Sequence, residues 1–228
     1  MGWLCPSALK GSLEGDSQQY PFGVGTGNSV WTGAGTVNSS WTVPIWYDPD
    51  AGNFRLNPDR NNGRISRWTW RRATGGYAAN WWVLHADLPD DIGRVPYYDP
   101  GDRSESFTFT TESQVMQPMA TPVLADGVWP FVRPIAQDTP ATDLAEPGAQ
   151  DGVWWCYFGG GNMSPMAIPR HGSRPSPIPR EWPSGQPLPG AVNVAFFDGH
   201  GELVKLDRLW QLYWHVDYQP PAKRPGRP

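Results

Sequence analysis

Near the C-terminal end of this 228-residue chain lie two histidines and an aspartate that could do chemistry together: His171, then Asp198-Gly199-His200. An imidazole within hydrogen-bond reach of a carboxylate is the minimal acid–base pair. The same Asp-Gly-His-Gly is also a strong signal for a tight turn, because Gly accepts positive φ. The turn reading explains the glycines without any chemistry. It places His200 at a solvated tip, with Asp198 accepting bonds from turn N–H groups. His171, in Arg170-His171-Gly172, precedes a Pro-rich excursion and can fold back to Asp198. A His171–Asp198 hydrogen bond would then clamp the ends of the excursion, and this structural role is preferred to catalysis.

Other reactive residue types are sparse. Asp48, Asp50 and Asn53 look faintly like a calcium loop, but the EF-hand spacing and its closing glutamate are missing. "GVGTG" (23–27) lacks both the strand–helix context and the Lys-Ser/Thr of a phosphate cradle. No Gly-x-Ser-x-Gly or His-Glu-x-x-His occurs, and the chain is read as a non-enzyme. Two cysteines and four histidines give no zinc spacing. A Cys5–Cys156 disulfide would staple the N-terminus to a distant segment; two buried free thiols are the alternative.

The elements that must position these residues are mostly strands. "SSWTVPIWY" (39–47) is rich in β-branched and aromatic residues and reads as a strand interrupted at Pro44, and "RISRWTWRR" (64–72) alternates with period two. "GGYAANWWVLHADLP" (75–89) and "ESFTFTTES" (105–113) read as short strands, the first of them alternatively as an irregular segment. A helical turn ending at Pro118 leads into a buried strand, "TPVLADGVW", bent at Asp126-Gly127. "AVNVAFF" (191–197) and "ELVKL" (202–206) form a hairpin around Asp-Gly-His-Gly. Leu206, Leu209, Trp210, Tyr213 and Trp214 then make the apolar stripe of a short helix, with Asp207 as its N-cap.

Composition agrees with a loop-rich β protein. The chain carries 26 Gly and 26 Pro, about twice ordinary usage. Net charge is −4, and no long basic run precedes the tail, so a nucleic-acid partner has no electrostatic support. No apolar run approaches the roughly 20 residues of a membrane span. Fourteen Trp imply either an aromatic core or an exposed stacking platform. The expected architecture is α+β, predominantly antiparallel β, with long Pro/Gly-rich loops and a short C-terminal helix. One domain spans 1–218. Within it, 164–190 is a Pro-rich insertion running over the surface, and 219–228 is a flexible basic tail.

"RHG" (170–172), "NVAFFDGH" (193–200) and "LWQLYWH" (209–215) together resemble the C-terminal region of prepilin-like proteins carrying a His-x9-Asp-Gly motif, relatives of G-type pseudopilins of type II secretion. "CPSA" (5–8), "GGYAANWW" (75–82) and "TPVLADGVW" (121–129) resemble further elements of that family in the same order. Two departures stand out. His171 and Asp198 have 26 residues between them in place of nine, and the family's leader and long apolar helix are not present. The resemblance implies an extracytoplasmic, non-enzymatic filament subunit seen as its globular head, with pilin or pseudopilin subunits as partners and a membrane contact only through the missing helix. It also implies His171, Asp198, Gly199 and His200 as the structural motif. Some relatives hold calcium, for which Asp198 is the nearest analogue here. A different expectation is a secreted carbohydrate-binding or adhesion module, stacking sugars on Trp68, Trp70, Trp81 or Trp82.

Overall fold

The computed structural model describes residues 36–48, 69–84, 107–129, 131–147 and 163–228, together with short strands at 10–11, 19–22, 30–33 and 53–55. Cys5 and Cys156, and with them the expected disulfide, lie outside the described residues, as does Trp68.

Two β-sheets organise the described chain. The first contains β1 (Lys10–Gly11), β2 (Gln19–Phe22), β3 (Val30–Gly33), β4 (Ser39–Asp48), β5 (Asn53–Arg55) and β6 (Thr69–Gly75). Its organiser is β4, the β-branched and aromatic run foreseen over 39–47. Pro44 interrupts neither the strand nor its pairing: β6 runs antiparallel to β4 from Trp41↔Gly75 to Tyr47↔Thr69.

The second sheet has the strand order β11-β10-β8-β7-β9, built from β7 (Tyr77–Asn80), β8 (Pro122–Asp126), β9 (Phe131–Val132), β10 (Ala191–Phe196) and β11 (Gly201–Lys205). Four of its strands, β11-β10-β8-β7, are mutually antiparallel, and β9 joins parallel to β7. The only α-helical element with several residues among those described is one turn, α1 (Trp81–Leu84). None of the described helices is long and apolar enough to cross a membrane. The described chain is β-rich with few, short helices.

The hairpin forms as its sequence dictates. Phe196 N–H donates to His200 O at 2.9 Å and Gly199 N–H to Phe196 O at 3.0 Å. The loop is therefore Phe197-Asp198-Gly199, with Gly199 at φ +91°, the left-handed position that follows a type I turn in three-residue hairpins.

Four local expectations need correction. Residues 107–113 are not a strand. Gln114 Oε1 accepts from Thr110 N–H (2.7 Å) and Thr111 N–H (3.1 Å), so Gln114 caps a 3-10 turn at Glu112–Gln114 and breaks the alternation. The C-terminal helix is a 3-10 segment, Leu206–Gln211. Its tighter period of three brings Leu206, Leu209 and Leu212 to the interior together. Asp207 does not cap it: Lys205 holds that position, and Asp207 Oδ1 instead takes Arg224 Nε at 2.6 Å. The Pro-rich stretch also begins inside the molecule, because Met163 to Arg170 are all buried and the surface excursion starts at His171.

Among the described residues the core packs against the second sheet. Trp82, Trp210, Trp214 and Tyr218 are fully buried in it with Met163, Met166, Ile168, Val192 and Val204. Each of those indole N–H groups finds a carbonyl: Trp82 donates to Pro134 O (3.0 Å), Trp210 to Asp138 O (2.7 Å) and Trp214 to Leu209 O (2.7 Å). Aromatic bulk thus replaces long aliphatic side chains without stranding these three N–H groups.

Candidate functional site

One buried polar cluster forms where the C-terminal end of β8 meets the start of β10. Asp126 ends β8, pairs across the sheet with Tyr77, and is fully buried. A buried carboxylate needs donors. Its Oδ2 accepts the backbone N–H of Asn193 in β10 at 2.7 Å and lies 3.0 Å from His171 Nε2. Its Oδ1 has no hydrogen-bond partner among the described residues. The Asn193 side-chain amide sits 2.9 Å from the same His171 nitrogen. His171 is held there by its own backbone, through a two-bond bridge with Ala191 (2.9 and 2.8 Å) at the start of β10.

This differs from the expected pairing. The carboxylate partner of His171 is Asp126, from the "TPVLAD" strand, and not Asp198. Asp198 stays at the hairpin tip, where its Oδ1 lies 2.6 Å from His200 Nδ1 and accepts the His200 N–H at 3.2 Å. The His200 ring stacks flat on Phe196, with centroids 4.4 Å apart and planes 2° apart. The hydrogen bond from His200 holds the Asp198 carboxyl below the ordinary carboxylate range. Asp198 is therefore occupied by its own turn. The clamp on the excursion is still made, by His171 and Ala191 at its two ends. Strand geometry explains the swap: Val194 pairs with Ala125, so the antiparallel register carries Asn193 to Asp126, whereas Asp198 lies beyond the end of β10.

Reading the sequence alone missed Asp126 as the partner. The available signal was its place at the end of a strongly apolar strand, where an acid is out of keeping unless something pairs with it.

A second polar centre ties the two sheets. Arg170, adjacent to His171, is 2% exposed. Its guanidinium donates to the carbonyls of Thr36 (3.2 Å), Val37 (3.3 Å), Ser39 (2.9 Å) and Gly76, all beside β4 and the β6–β7 junction. The planar fork reaches all four at once, which an ammonium could not do.

A third group is an aromatic box. His215 stacks on Phe107 (4.2 Å, 25°) and meets Trp82 and Tyr218 edge-on. Burial pushes its imidazole down to about 4.

Among the described residues no group of three or more His, Cys, Asp or Glu is placed to hold a metal ion. The side chains of Asp48, Asp50 and Asn53 are outside the described set. Trp81 and Trp82 are interior, at 4% and 2% exposure, so they are not available for sugar stacking; the Trp70 side chain is not among those described.

No family model, curated protein or solved structure matches this chain.

Proposed function

We propose that the chain is a non-enzymatic, extracytoplasmic subunit: the globular head of a type IV pilus-like or type II secretion pseudopilus-like filament. The observation that carries this reading is spatial. Three of the stretches resembling prepilin-like proteins are dispersed over 75–200 but adjoin in one sheet. "GGYAANWW" supplies β7, "TPVLADGVW" supplies β8, and "NVAFFDGH" supplies β10 with its turn. Asn80, from the first, donates its side-chain amide to Pro122 O (2.8 Å) in the second and to Trp214 O (2.9 Å) in "LWQLYWH". "RHG" pairs with Ala191 and Asp126. A set of motifs whose polar groups bind one another's backbone is a scaffold.

The chemistry of the histidines supports the same reading. Asp126 Oδ2 is engaged by the sheet's own N–H, His200 lies against Phe196, and His215 is enclosed by rings.

The test is fractionation of the source cells with an antibody against this chain. The expected result is recovery in the sheared-filament fraction with pilin-like subunits, and loss from it when the filament assembly ATPase is deleted. Recovery only as free protein, unchanged by that deletion, contradicts the proposal.

A further inference from the structure

Among the described residues the second sheet ends in an open edge: β11 is its terminal strand and pairs there only with β10. Phe196 N–H reaches His200 O, and Leu206 N–H reaches Gly190 O (3.4 Å), so the even-numbered residues of this strand bond to β10. In an antiparallel ladder the intervening residues turn both backbone groups to the other side. Those residues are Gly201, Leu203 and Lys205, all exposed, and none bonds to another described residue on that side. Leu203 is also one of three exposed large hydrophobic side chains among the described residues, at 51%.

We propose that this edge pairs with the same edge of a second copy of the chain, antiparallel, about a two-fold axis through Leu203. Only one register satisfies all three outward residues. Leu203 faces Leu203 of the second copy, and Gly201 and Lys205 face Lys205 and Gly201. About six backbone hydrogen bonds would form. The side chains suit this register. The two exposed leucines bury each other, and each lysine meets a glycine, which leaves it room. The two lysines stay about 14 Å apart along the strands, and each Glu202 keeps its own Arg208 (2.6 Å). Like charges, whose meeting is a usual safeguard against edge-to-edge pairing, therefore do not meet. An isologous contact closes with two copies, whereas a filament needs a heterologous one. The inference therefore goes beyond the filament proposal and does not rest on it.

Sedimentation equilibrium on the full chain at rising concentration tests the pairing. The average mass should climb from 25.3 kDa toward twice that value. Leu203→Pro removes only an outward N–H, a place where edge strands accept proline, and should hold the mass at the monomer value. Leu203→Cys adds a readout that does not depend on the proline variant folding. A hydrogen-bonded pair sets its Cα atoms about 5.5 Å apart, within disulfide reach. Leu203→Cys should therefore cross-link to itself roughly tenfold faster than Glu181→Cys, an exposed control on the excursion. A wild-type mass fixed at the monomer value, or equal cross-linking rates at the two positions, overturns the proposal.

Discussion

His215 is 5% exposed and its Nδ1 has no hydrogen-bond partner among the described residues, so the folded protein holds it neutral. Its folded value of about 4 lies below the ordinary 6.5. The unfolded chain therefore binds this proton first as pH falls. The stability tied to His215 is complete above pH 6.5, declines as pH falls toward 4, and is gone below that value. The depression corresponds to roughly 3 kcal/mol. His215→Phe keeps a ring against Phe107 and Trp82 and removes the titration. Urea midpoints of the wild type should fall from pH 7 to pH 4 much more than those of the variant; parallel curves would show that His215 is not the group responsible. Nothing in "LWQLYWH" announces this role, because the box is closed by Phe107 and Trp82 from distant segments. Asp126 was hidden for the same reason: its partner His171 lies 45 positions away in sequence, and Asp198 was nearer.

At the scale of elements, the local signals that were legible are those whose physics is local. Asp-Gly between two β-branched runs made the hairpin, and the 39–47 and 121–126 runs made β4 and β8. Where a competing local bond existed, periodicity misled. The side-chain amide of Gln114 captured the 107–113 segment, and the stripe over 206–214 suits a 3-10 turn as well as an α-helix over so few residues. Two glycines separate backbone from packing effects. A Cβ at Gly199 would touch nothing, and only its φ of +91° opposes substitution; Gly199→Ala should cost about 1 kcal/mol. At Gly127 the φ is unremarkable, but a Cβ would collide with Ala78 of β7. Gly127→Ala should cost about 2–3 kcal/mol by forcing β7 from β8. Thermal unfolding of the two variants distinguishes these effects, and equal losses would contradict the assigned causes.

For the whole molecule, cohesion depends on arginines that composition alone did not reveal. Arg170 joins the sheets. Arg224, in the tail expected to be free, has a fully buried side chain; it bonds Asp207 Oδ1 and the Gln186 carbonyl, while Arg227 reaches Asp207 Oδ2 at 3.1 Å. The segment 219–228 thus lies against the Pro-rich excursion. Its Pro and Lys/Arg content resembles that of a mobile linker because nothing local in it specifies docking. Arg224→Ala should lower the unfolding free energy by about 2 kcal/mol and speed proteolysis at Lys223. An unchanged midpoint would show the tail contact to be marginal.

The acid that holds His171 decides whether the motif is a clamp inside the sheet or a pair at the hairpin tip. Double-mutant cycles on the unfolding free energy measure this directly, with His171→Gln combined first with Asp126→Asn and then with Asp198→Asn. The expected coupling is about 1–3 kcal/mol for His171 with Asp126 and none outside error for His171 with Asp198. Coupling to Asp198 without coupling to Asp126 would contradict the assignment, and the scaffold reading of the motif with it.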